Sequence, residues 1–391
     1  MKEIAIKQRF YPTTEQAELL AQTFGCVRVV YNAILKWRTD AFYNEGQKVN
    51  YNAASARLTE LKKLPEFAWL NDVSCVPLQQ SLRHQQSAFK NFFEGRAKYP
   101  TFKKKRSKQS AEFTKSAFAY KDGKIFIAKS KQPLDIRWSR ELPSEPSTIN
   151  ITKDSAGRYF VSMLCRFEPK PLPVSKKTTG IDFGLTDLVI TADGFKSGNP
   201  RHTATYEKKL AKAQRVLSKK KKGSANFHKA RQKVARIQAK IADCRRDFTH
   251  KLTTKLINEN QVISCESLIV KNMVRNKRLS KAISDANWGE LVRQLTYKAD
   301  WYGRTLVKID KFYPSSKRCN CCGHVVDSLP LHIRHWTCPA CKTHLDRDIN
   351  AAVNIKAAGQ AVLAWSSPHL WGCFSSGSVF RWFMIVFPTP V

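Results

Sequence analysis

Residues 179–185 read Thr179-Gly180-Ile181-Asp182-Phe183-Gly184-Leu185, and the rest of the chain is best interpreted from this stretch outward. Apolar residues alternate around Asp182 with the period of a β-strand. Gly184 then lets the chain turn or lets another backbone approach closely. A carboxylate among apolar neighbours is costly unless a cation or hydrogen-bond donors compensate it. Asp182 is therefore predicted to bind a metal ion or a positively charged partner.

The composition indicates a folded protein with a polyanionic partner. The 391 residues include 68 Lys and Arg against 31 Asp and Glu, a net charge of +37, and 42% of them are hydrophobic. This length allows two or three domains with separate cores. The charge favours nucleic acid as the partner over a ribosome-like structural role or a membrane surface. The longest apolar run, Val379 to Pro388, is interrupted by Arg381 and is too short to span a bilayer, so no membrane association is predicted.

The cysteines predict a metal site in a reducing compartment. No signal peptide precedes them, which indicates a cytoplasmic protein, and five of the eleven lie between Cys319 and Cys341. Two Cys-x-x-Cys pairs, Cys319 with Cys322 and Cys338 with Cys341, have the spacing of a structural zinc ribbon in which four thiolates close a tetrahedron. Cys321 is either a spare thiol or an alternative ligand. The nearby histidines are not needed as ligands: His324, His332, His335 and His344.

The first hundred residues predict one strand followed by a small helical bundle. Residues 2–10 alternate as a strand, and Thr13 with Gln16 forms a capping-box signature. Gly25 is expected to end the first helix, and a second helix is expected to follow through Leu35. Later in the bundle, the stripe Phe89, Phe92 and Phe93 is interpreted as core rather than as a platform for nucleobases.

Strand patterns follow a basic run at Lys103–Arg106. The run lies at a joint between helical and strand patterns, which favours a contact with a phosphate backbone over a merely solvated face. Asp122-Gly123 is predicted to be the turn of a hairpin, and residues 149–151 and 159–163 form a second strand pair. Together with the N-terminal strand they predict a small barrel that a helical insertion interrupts. A proline-rich linker then leads to Asp182.

From Gly180 the pattern becomes α/β. Residues 187–191 are expected to return as a hairpin strand beside the strand of Asp182. A long helical hairpin follows, with its tip at Lys219–Gly223 and with no Asp or Glu between Lys208 and Ala242. A hairpin that was merely solvated would normally mix charge signs, so this one is predicted to clamp a nucleic-acid duplex.

Two further acids have positions comparable with that of Asp182. Glu266 ends the apolar strand 261–265, and parallel strands place functional groups together at their carboxyl ends, although a turn or a helix cap would explain that acid equally well. Asp348 begins a helix whose small residues would let it press onto a sheet. Either Asp346 or Asp348 could instead be only an N-cap. Three acids converging at one edge of a sheet in a basic protein match the needs of a two-metal nuclease with Mg²⁺.

Taken together, the motifs resemble the TnpB (OrfB) family of insertion-sequence proteins, relatives of the type V CRISPR effector nucleases. The resemblance covers residues 1 to about 364. It rests on these segments: Tyr11-Pro12-Thr13 with Gln16, Arg28-Val29-Val30-Tyr31-Asn32, Tyr99-Pro100 before Phe102-Lys103-Lys104-Lys105, Gly180-Ile181-Asp182-Phe183-Gly184, Glu266-Ser267-Leu268, the two cysteine pairs, and Arg347-Asp348-Ile349-Asn350-Ala351-Ala352.

The resemblance implies an α/β fold with a β-barrel and a helical insert, in which an RNase H-like (RuvC) nuclease domain carries a zinc-ribbon insert. Asp182, Glu266 and Asp348, but not Asp346, would be its catalytic acids and would hold two Mg²⁺ ions. The implied domains are an OB-like wedge barrel at 1–11 and 106–170, a helical recognition bundle at 12–105, the RuvC domain at 171–315 and 343–364, and a zinc-bearing target-strand insert at 316–342. The tail, 365–391, departs from the family and is predicted to be disordered or the product of an altered reading frame.

The function that the resemblance implies is RNA-guided cleavage of DNA. A guide RNA derived from the transposon end would pair with double-stranded DNA beside a short adjacent motif, in a monomer bound to RNA and associated with a prokaryotic nucleoid. One alternative is a repressor that has lost cleavage, which the presence of all three acids disfavours. Another is a transposase or accessory transposition factor, for which no Tyr or Ser nucleophile with an adjacent base stands out.

Overall fold

The structure, a computed structural model, describes residues 1–366. The predicted tail therefore lies, from residue 367 onward, outside the described residues. The chain divides into two compact units, the first made of residues 1–170 and 202–246 and the second of residues 171–201 and the chain from 247 onward. No helix within the described range is long and apolar enough to cross a membrane.

The first unit contains a five-stranded antiparallel sheet with the order β2-β6-β7-β1-β5. Every second side chain of β1, from Ile6 to Phe10, is buried, so one face of the strand packs on the core. The sheet includes the strands of the predicted barrel, and its closure into a barrel stays a prediction. The strands are β1 (Lys2–Tyr11), β2 (Gln109–Thr114), β5 (Asp135–Arg137), β6 (Thr148–Lys153) and β7 (Tyr159–Phe167).

The predicted hairpin turn at Asp122-Gly123 is confirmed. It joins β3 (Phe118–Lys121) to β4 (Lys124–Ile127), which pair in antiparallel register. Both turn residues have positive φ, 48° at Asp122 and 72° at Gly123, as a two-residue hairpin loop of type I′ requires.

The helices of the first unit are α1 (Thr14–Glu45), α2 (Tyr51–Leu61), a 3-10 helix (Pro65–Asn71) and α3 (Cys75–Phe93). The capping box at the start of α1 is confirmed, because Thr13 Oγ1 accepts a hydrogen bond from the Gln16 N–H at 3.2 Å and Gln16 Oε1 accepts one from the Thr13 N–H. The prediction that Gly25 ends this helix is wrong, because α1 continues to Glu45 and Gly46 is its C-cap. Phe24, Cys26 and Val27 are buried beside Gly25. Their packing outweighs the cost of about 1 kcal/mol for a glycine inside a helix.

The interpretation of the phenylalanine stripe as core is also wrong. Leu78 and Leu82, in the first half of α3, are fully buried, whereas Phe89 and Phe92 are half-buried and Phe93 is 68% exposed. Only the first half of α3 packs on the core, and its last turns extend past it.

The predicted helical hairpin is confirmed as α4 (His202–Ser218) and α5 (Ala225–Glu259). Val234 and Ile241 lie buried on the inner side of α5. The opposite side exposes cations at Lys233, Arg236, Lys240 and Arg246.

The second unit is built on a four-stranded sheet with the order β11-β10-β8-β9, in which β10 runs parallel to both of its neighbours. The strands are β8 (Thr178–Asp182), β9 (Ile190–Thr191), β10 (Val262–Glu266) and β11 (Thr305–Ile309). The returning strand predicted at 187–191 is shorter than expected. The Leu188 N–H donates to the Gly198 carbonyl and the Val189 N–H to Ser197 Oγ, so these residues bond to a neighbouring loop instead of β8.

Among the described residues, four helices and a short strand pair complete the second unit, which also contains residues 247–259 of α5. The helices are α6 (Val270–Met273), α7 (Ser280–Ala286), α8 (Trp288–Tyr302) and α9 (Arg347–Ser366), and β12 (His335–Thr337) pairs with β13 (His344–Asp346). Helix α9 packs on all four strands of the sheet. Ala351, Ala352 and Ile355 are buried there, as the small-residue pattern predicted.

Candidate functional site

Two of the predicted acids end neighbouring parallel strands. Asp182 is the last residue of β8 and Glu266 is the last residue of β10. Cys265 lies opposite Ile181 in the ladder, so the two acids follow the same residue pair. Because parallel strands present their carboxyl ends at one edge of the sheet, the structure brings these two acids together there.

Asp348 reaches the same edge from α9. It is the second residue of this helix, which crosses β8 so closely that a Cβ on Gly180 would overlap the backbone of Ala352 and Lys356. Gly180 therefore permits the contact that places the start of α9 beside the end of β8.

The pKa of Asp182 shows that the acids share one electrostatic environment. Burial, and after it the charges of Glu266 and Asp348, together raise this pKa from 3.8 to about 7, partly opposed by a hydrogen bond from the Phe183 backbone and by the charge of Arg347. Within residues 1–366, the carboxylate oxygens of the three acids are not all within 4.8 Å of one another. A site for two ions about 3.5 to 4 Å apart can have its ligands farther from one another than a site for a single ion can.

Two residues that the sequence interpretation missed hold the other acids. Ser315 Oγ donates to Glu266 Oε1 at 2.8 Å, and Ser315 itself is only 7% exposed. Arg334 Nη1 lies 3.2 Å from Asp348 Oδ1 and 3.4 Å from Oδ2. No signal in the sequence distinguished Ser315 from Ser316, or Arg334 from the many other cations.

Asp346 has a different role from Asp348. Its Oδ1 accepts hydrogen bonds from the backbone N–H groups of Asp348, at 2.9 Å, and Ile349, at 3.0 Å, and it thereby caps α9. Its Oδ2 lies 2.8 Å from Lys196 Nζ. Asp346 is thus occupied by the helix start, whereas the carboxylate of Asp348 is free of backbone partners among the described contacts.

The four predicted zinc ligands form one cluster. The sulfur atoms of Cys319, Cys322, Cys338 and Cys341 all lie within 4.8 Å of one another, and two of the pairs are 3.6 Å apart. A tetrahedron with metal–sulfur bonds of about 2.3 Å has an edge of about 3.8 Å, so the geometry fits a closed thiolate site. Cys321 is exposed and lies outside the cluster, as do the four nearby histidines.

Two buried asparagines tie this cluster to the helix of Asp348. Asn350 Nδ2 donates to the Arg318 carbonyl at 2.8 Å, and Asn354 Nδ2 donates to the carbonyls of Ser315, at 2.9 Å, and Arg318. In return, Asn350 Oδ1 accepts from the Asn320 N–H at 2.9 Å. The sequence carried a signal for these residues, since they are polar side chains four residues apart near the apolar face of α9.

Comparison with known proteins identifies the family. Three family profiles match, with the descriptions "Helix-turn-helix domain" over residues 1–48, "Probable transposase" over 162–277 and "Cas12f1-like, TNB domain" over 288–355. A Streptomyces pristinaespiralis protein, provisionally named an RNA-guided DNA endonuclease, is 54% identical over 363 residues, which cover 92% of this chain and 90% of that protein. The chain belongs to the TnpB (OrfB) family.

Two further comparisons concern this TnpB family assignment and the fold. The Escherichia coli protein InsQ, provisionally named an RNA-guided DNA endonuclease, is 32% identical over 377 residues, covering 92% of this chain and 93% of that protein. The fold is similar to that of a chain in the cryo-EM structure of the Cas12f1-sgRNA-target DNA complex, with a TM-score of 0.52, 16% identity, and coverage of 88% of this chain and 83% of that one. Residues 1–48, which match the profile described as a helix-turn-helix domain, form strand β1 and helix α1 in this structure.

This TnpB-family chain also has a basic groove in its first unit. The groove encloses about 590 Å³ and joins the two segments predicted to contact phosphates, the run at 103–106 and helix α5. Asp154 lies in it but is bonded to Arg158 Nε at 2.8 Å. We define the basic groove by its cations: Arg28, Lys105, Arg106, Lys153, Lys229 and Arg231.

Proposed function

We propose that this protein is an RNA-guided DNA endonuclease that cleaves guide-matched DNA by two-metal phosphodiester hydrolysis. The observation that supports the proposal is that Asp182 and Glu266 end neighbouring parallel strands on which the helix of Asp348 packs, while burial and the charges of the other two acids raise the pKa of Asp182 to about 7. The net charge of +37 and the basic groove supply the means to hold nucleic acid. The names of the relatives in Streptomyces and Escherichia support the same activity.

The three acids would be the Mg²⁺ ligands, because carboxylate oxygens suit this hard ion. When bound, two such ions supply an activated water and stabilise the leaving 3′ oxygen. Asp182 must lose its proton to act as a metal ligand, and the positive charge of a nearby ion would lower its pKa again. Ser315 keeps Glu266 in one orientation by donating to Oε1. Arg334 Nη1 lies 3.2 Å from Asp348 Oδ1 and offsets part of its negative charge.

The finer architecture belongs to the same proposal. An RNase H-like (RuvC) domain would comprise 171–315 and 343–364, with a target-strand insert at 316–342 held by a structural Zn²⁺ on the four cysteines. An OB-like wedge barrel at 1–11 and 106–170 would enclose a helical recognition domain at 12–105. The division into two compact units supports a boundary near residue 170, while 202–246 group with the first unit.

The proposed partners are a guide RNA derived from the transposon end and double-stranded DNA beside a short adjacent motif. The protein would act as a monomer with its RNA on the nucleoid, in the cytoplasm of a prokaryote. The basic groove supports a large nucleic-acid partner because its cations contact backbones without regard to sequence, leaving sequence to base pairing.

The experiment is to purify the protein from its host, sequence the RNA bound to it, and offer the matching DNA beside a randomised flank. We expect cleavage that requires Mg²⁺ and one short flanking motif. Asp182→Asn should abolish cleavage and keep binding, and Asp193→Asn, an acid on the exposed loop after β9, should cleave normally. Cleavage by Asp182→Asn at the wild-type rate would contradict the mechanism. Binding without cleavage by the wild-type protein would favour the repressor.

A further inference from the structure

A second cavity in the first unit is lined mainly by aromatic rings. It encloses about 700 Å³ near the ends of α1 and α3 and shares none of its residues with the basic groove. That volume falls within the range of about 300 to 1,000 Å³ that is usual for sites binding small molecules. We define this aromatic pocket by its rings: Phe42, Tyr43, Phe89, Phe92, Phe93 and Tyr99.

The rings of the aromatic pocket form a packed base with an exposed wall. Phe89 and Phe92 meet the ring of Tyr99 edge-on, with centroids 5.5 and 5.2 Å apart. Above them, Phe93 is 68% exposed and Tyr43 is 73% exposed. Phe93 lies nearly parallel to Phe89, at an interplanar angle of 23°. Exposed rings held by a rigid base offer flat faces on which another aromatic ring can stack.

Three cations line the pocket beside these rings. Arg38 is only 6% exposed, and its guanidinium lies 4.9 Å from the centre of Phe89 and donates to the Val49 carbonyl at 2.6 Å and to Gln85 Oε1 at 3.2 Å. These acceptors are neutral, so the buried charge lacks a counter-ion among the described contacts. Lys48 and Lys90 also line the pocket, and its one acid, Glu94, is bonded to Arg96. The pocket therefore combines stacking faces with excess positive charge.

We propose that the aromatic pocket binds one unpaired nucleotide of RNA, with the base stacked on Phe93 and Tyr43 and the phosphate held by Lys48 and Lys90. This rests on the proposed function only in that the RNA would be the guide. RNA fits better than duplex DNA because unstacked bases in single-stranded loops are what aromatic side chains commonly recognise. The nearby ends of α1 and α3 carry negative partial charge, which keeps the phosphate at the rim with the lysines.

The charge argues against a second copy of the chain as the occupant. A two-fold interface brings the same surface of each copy together. It would place Arg38, Lys48 and Lys90 of one copy against the same cations of the other, at a cost that an anionic ligand does not incur.

The test measures the affinity of RNA-free protein for a short single-stranded RNA and for the same RNA annealed to its complement, without Mg²⁺ or target DNA. Phe93→Leu keeps an apolar side chain but removes the stacking face, and Phe93→Trp keeps it. We expect Phe93→Leu to weaken single-strand binding about tenfold and to leave duplex binding unchanged, while Phe93→Trp stays within about twofold of wild type. Lys90→Gln should reduce the slope of log affinity against log salt by about 0.7.

A fluorescent 2-aminopurine in the RNA reports the stacking directly. We expect wild-type protein and Phe93→Trp to change its emission from that of the free RNA, because the base leaves its neighbouring bases for the pocket, and Phe93→Leu to change it much less. Equal binding and an equal change in emission for Phe93→Leu and wild type would overturn the proposal. If Phe93→Leu lost as much affinity for single-stranded DNA as for RNA, the assignment to RNA would be overturned. If the variant changed only the self-association of the protein, the pocket would instead be an interface between copies. Because no cleavage is measured, a failure here is distinct from a failure of the nuclease proposal.

Discussion

At the scale of single residues, Asp182 is held where its charge is unfavourable. Burial and the two neighbouring acids raise its pKa from 3.8 to about 7. A carboxyl whose pKa is higher in the folded state than in the unfolded state destabilises the fold when it ionises. This cost is absent below about pH 4, grows as the pH rises towards 7, and stays constant above it.

Asp182→Asn should therefore stabilise the metal-free protein. We expect its melting temperature to exceed that of wild type by about 2–4 °C at pH 8 and to match it at pH 4, measured by calorimetry in chelator. Added Mg²⁺ should raise the melting temperature of the wild type more than that of the variant.

Asp193→Asn is a control for which the expected change in melting temperature has the opposite sign. A hydrogen bond from Lys177 lowers the pKa of Asp193 to about 2, so its charge stabilises the fold above pH 4. Its side chain is 45% exposed, which makes the effect small. A lower melting temperature for Asp182→Asn at pH 8 would refute the electrostatic account of the site.

Ser315 offers a second prediction, because it touches Glu266 without being a ligand itself. Ser315→Ala should lower the cleavage rate about tenfold at saturating Mg²⁺ and leave DNA binding unchanged, since Glu266 loses the donor that orients it. Ser315→Thr, which keeps the hydroxyl, should restore much of the rate. The adjacent Ser316 has no side-chain contact to Glu266 in the described structure, so Ser316→Ala is the matched control, and equal losses in both alanine variants would contradict the role of Ser315.

Sequence reasoning could name some of these residues and not others. Asp182 and Glu266 stood out because each is an acid in an apolar strand. The local pattern left the choice between Asp346 and Asp348 open, and the family resemblance selected Asp348; the structure shows that the carboxylate of Asp346 caps α9. Which of the two acids caps depends on where the helix begins, and which serine reaches Glu266 depends on how a loop returns to the sheet. Neither is encoded in local spacing.

At the scale of elements, the close packing of α9 on the sheet assembles the proposed site. Two glycines permit it: a Cβ on Gly180 would meet the backbone of α9, and a Cβ on Gly359 would meet the side chain of Ser264 on β10. The helix therefore contacts the sheet at two points about one to two turns apart along its length. A shift of α9 would move Asp348 away from Asp182.

Gly180→Ala should consequently impair both stability and cleavage. We expect a loss of about 1–3 kcal/mol of unfolding free energy, as for overpacking, together with a large fall in the cleavage rate of the folded fraction. Gly289, in α8, has nothing within 4 Å of an added Cβ. Gly289→Ala should therefore be neutral or stabilise by about 0.4–1 kcal/mol with normal cleavage. Chemical denaturation and cleavage assays measure both effects, and an unaffected Gly180→Ala would show that α9 can shift without consequence.

Element boundaries were predictable where local chemistry decided them. The capping box at Thr13 and the turn at Asp122-Gly123 act within four residues, and both were confirmed. Gly25 and the phenylalanines at the end of α3 were misjudged because burial depends on the rest of the unit. Gly25 lies in the part of α1 that packs on the core, whereas the phenylalanine rings lie in the part of α3 that extends beyond the core.

At the scale of the whole molecule, the positive charge is partly concentrated in the basic groove. Arg106→Glu should weaken retention of RNA and reduce the slope of log affinity against log salt by about 0.7 to 0.9, because one cation no longer neutralises a phosphate. Lys63→Glu makes the same change in net charge at an exposed site outside the groove, and it should leave the slope nearly unchanged. The slopes are measured by filter binding over a salt series. Equal slopes for the two variants would show that RNA binding depends on the net charge of the protein and not on the cations of the basic groove.

The nucleic-acid partner was predictable from composition, since charge is additive along the chain. The groove was not, because the run at 103–106 and helix α5 are more than a hundred residues apart. Only the fold brings them to one cavity. The cysteine cluster is the reverse case, since two short spacings single out four cysteines and the structure brings their sulfur atoms together.

The position of Asp348 on α9, the last helix described, has a consequence for how the protein is made. A ribosome completes every residue of the first unit, including the basic groove, and also both strand acids before it reaches residue 347. Under the proposed function, a nascent or prematurely terminated chain could bind nucleic acid but could not cleave it. Cleavage is therefore withheld until Asp348 has been added, and any product that ended before this residue would compete with the longer chain for the same RNA.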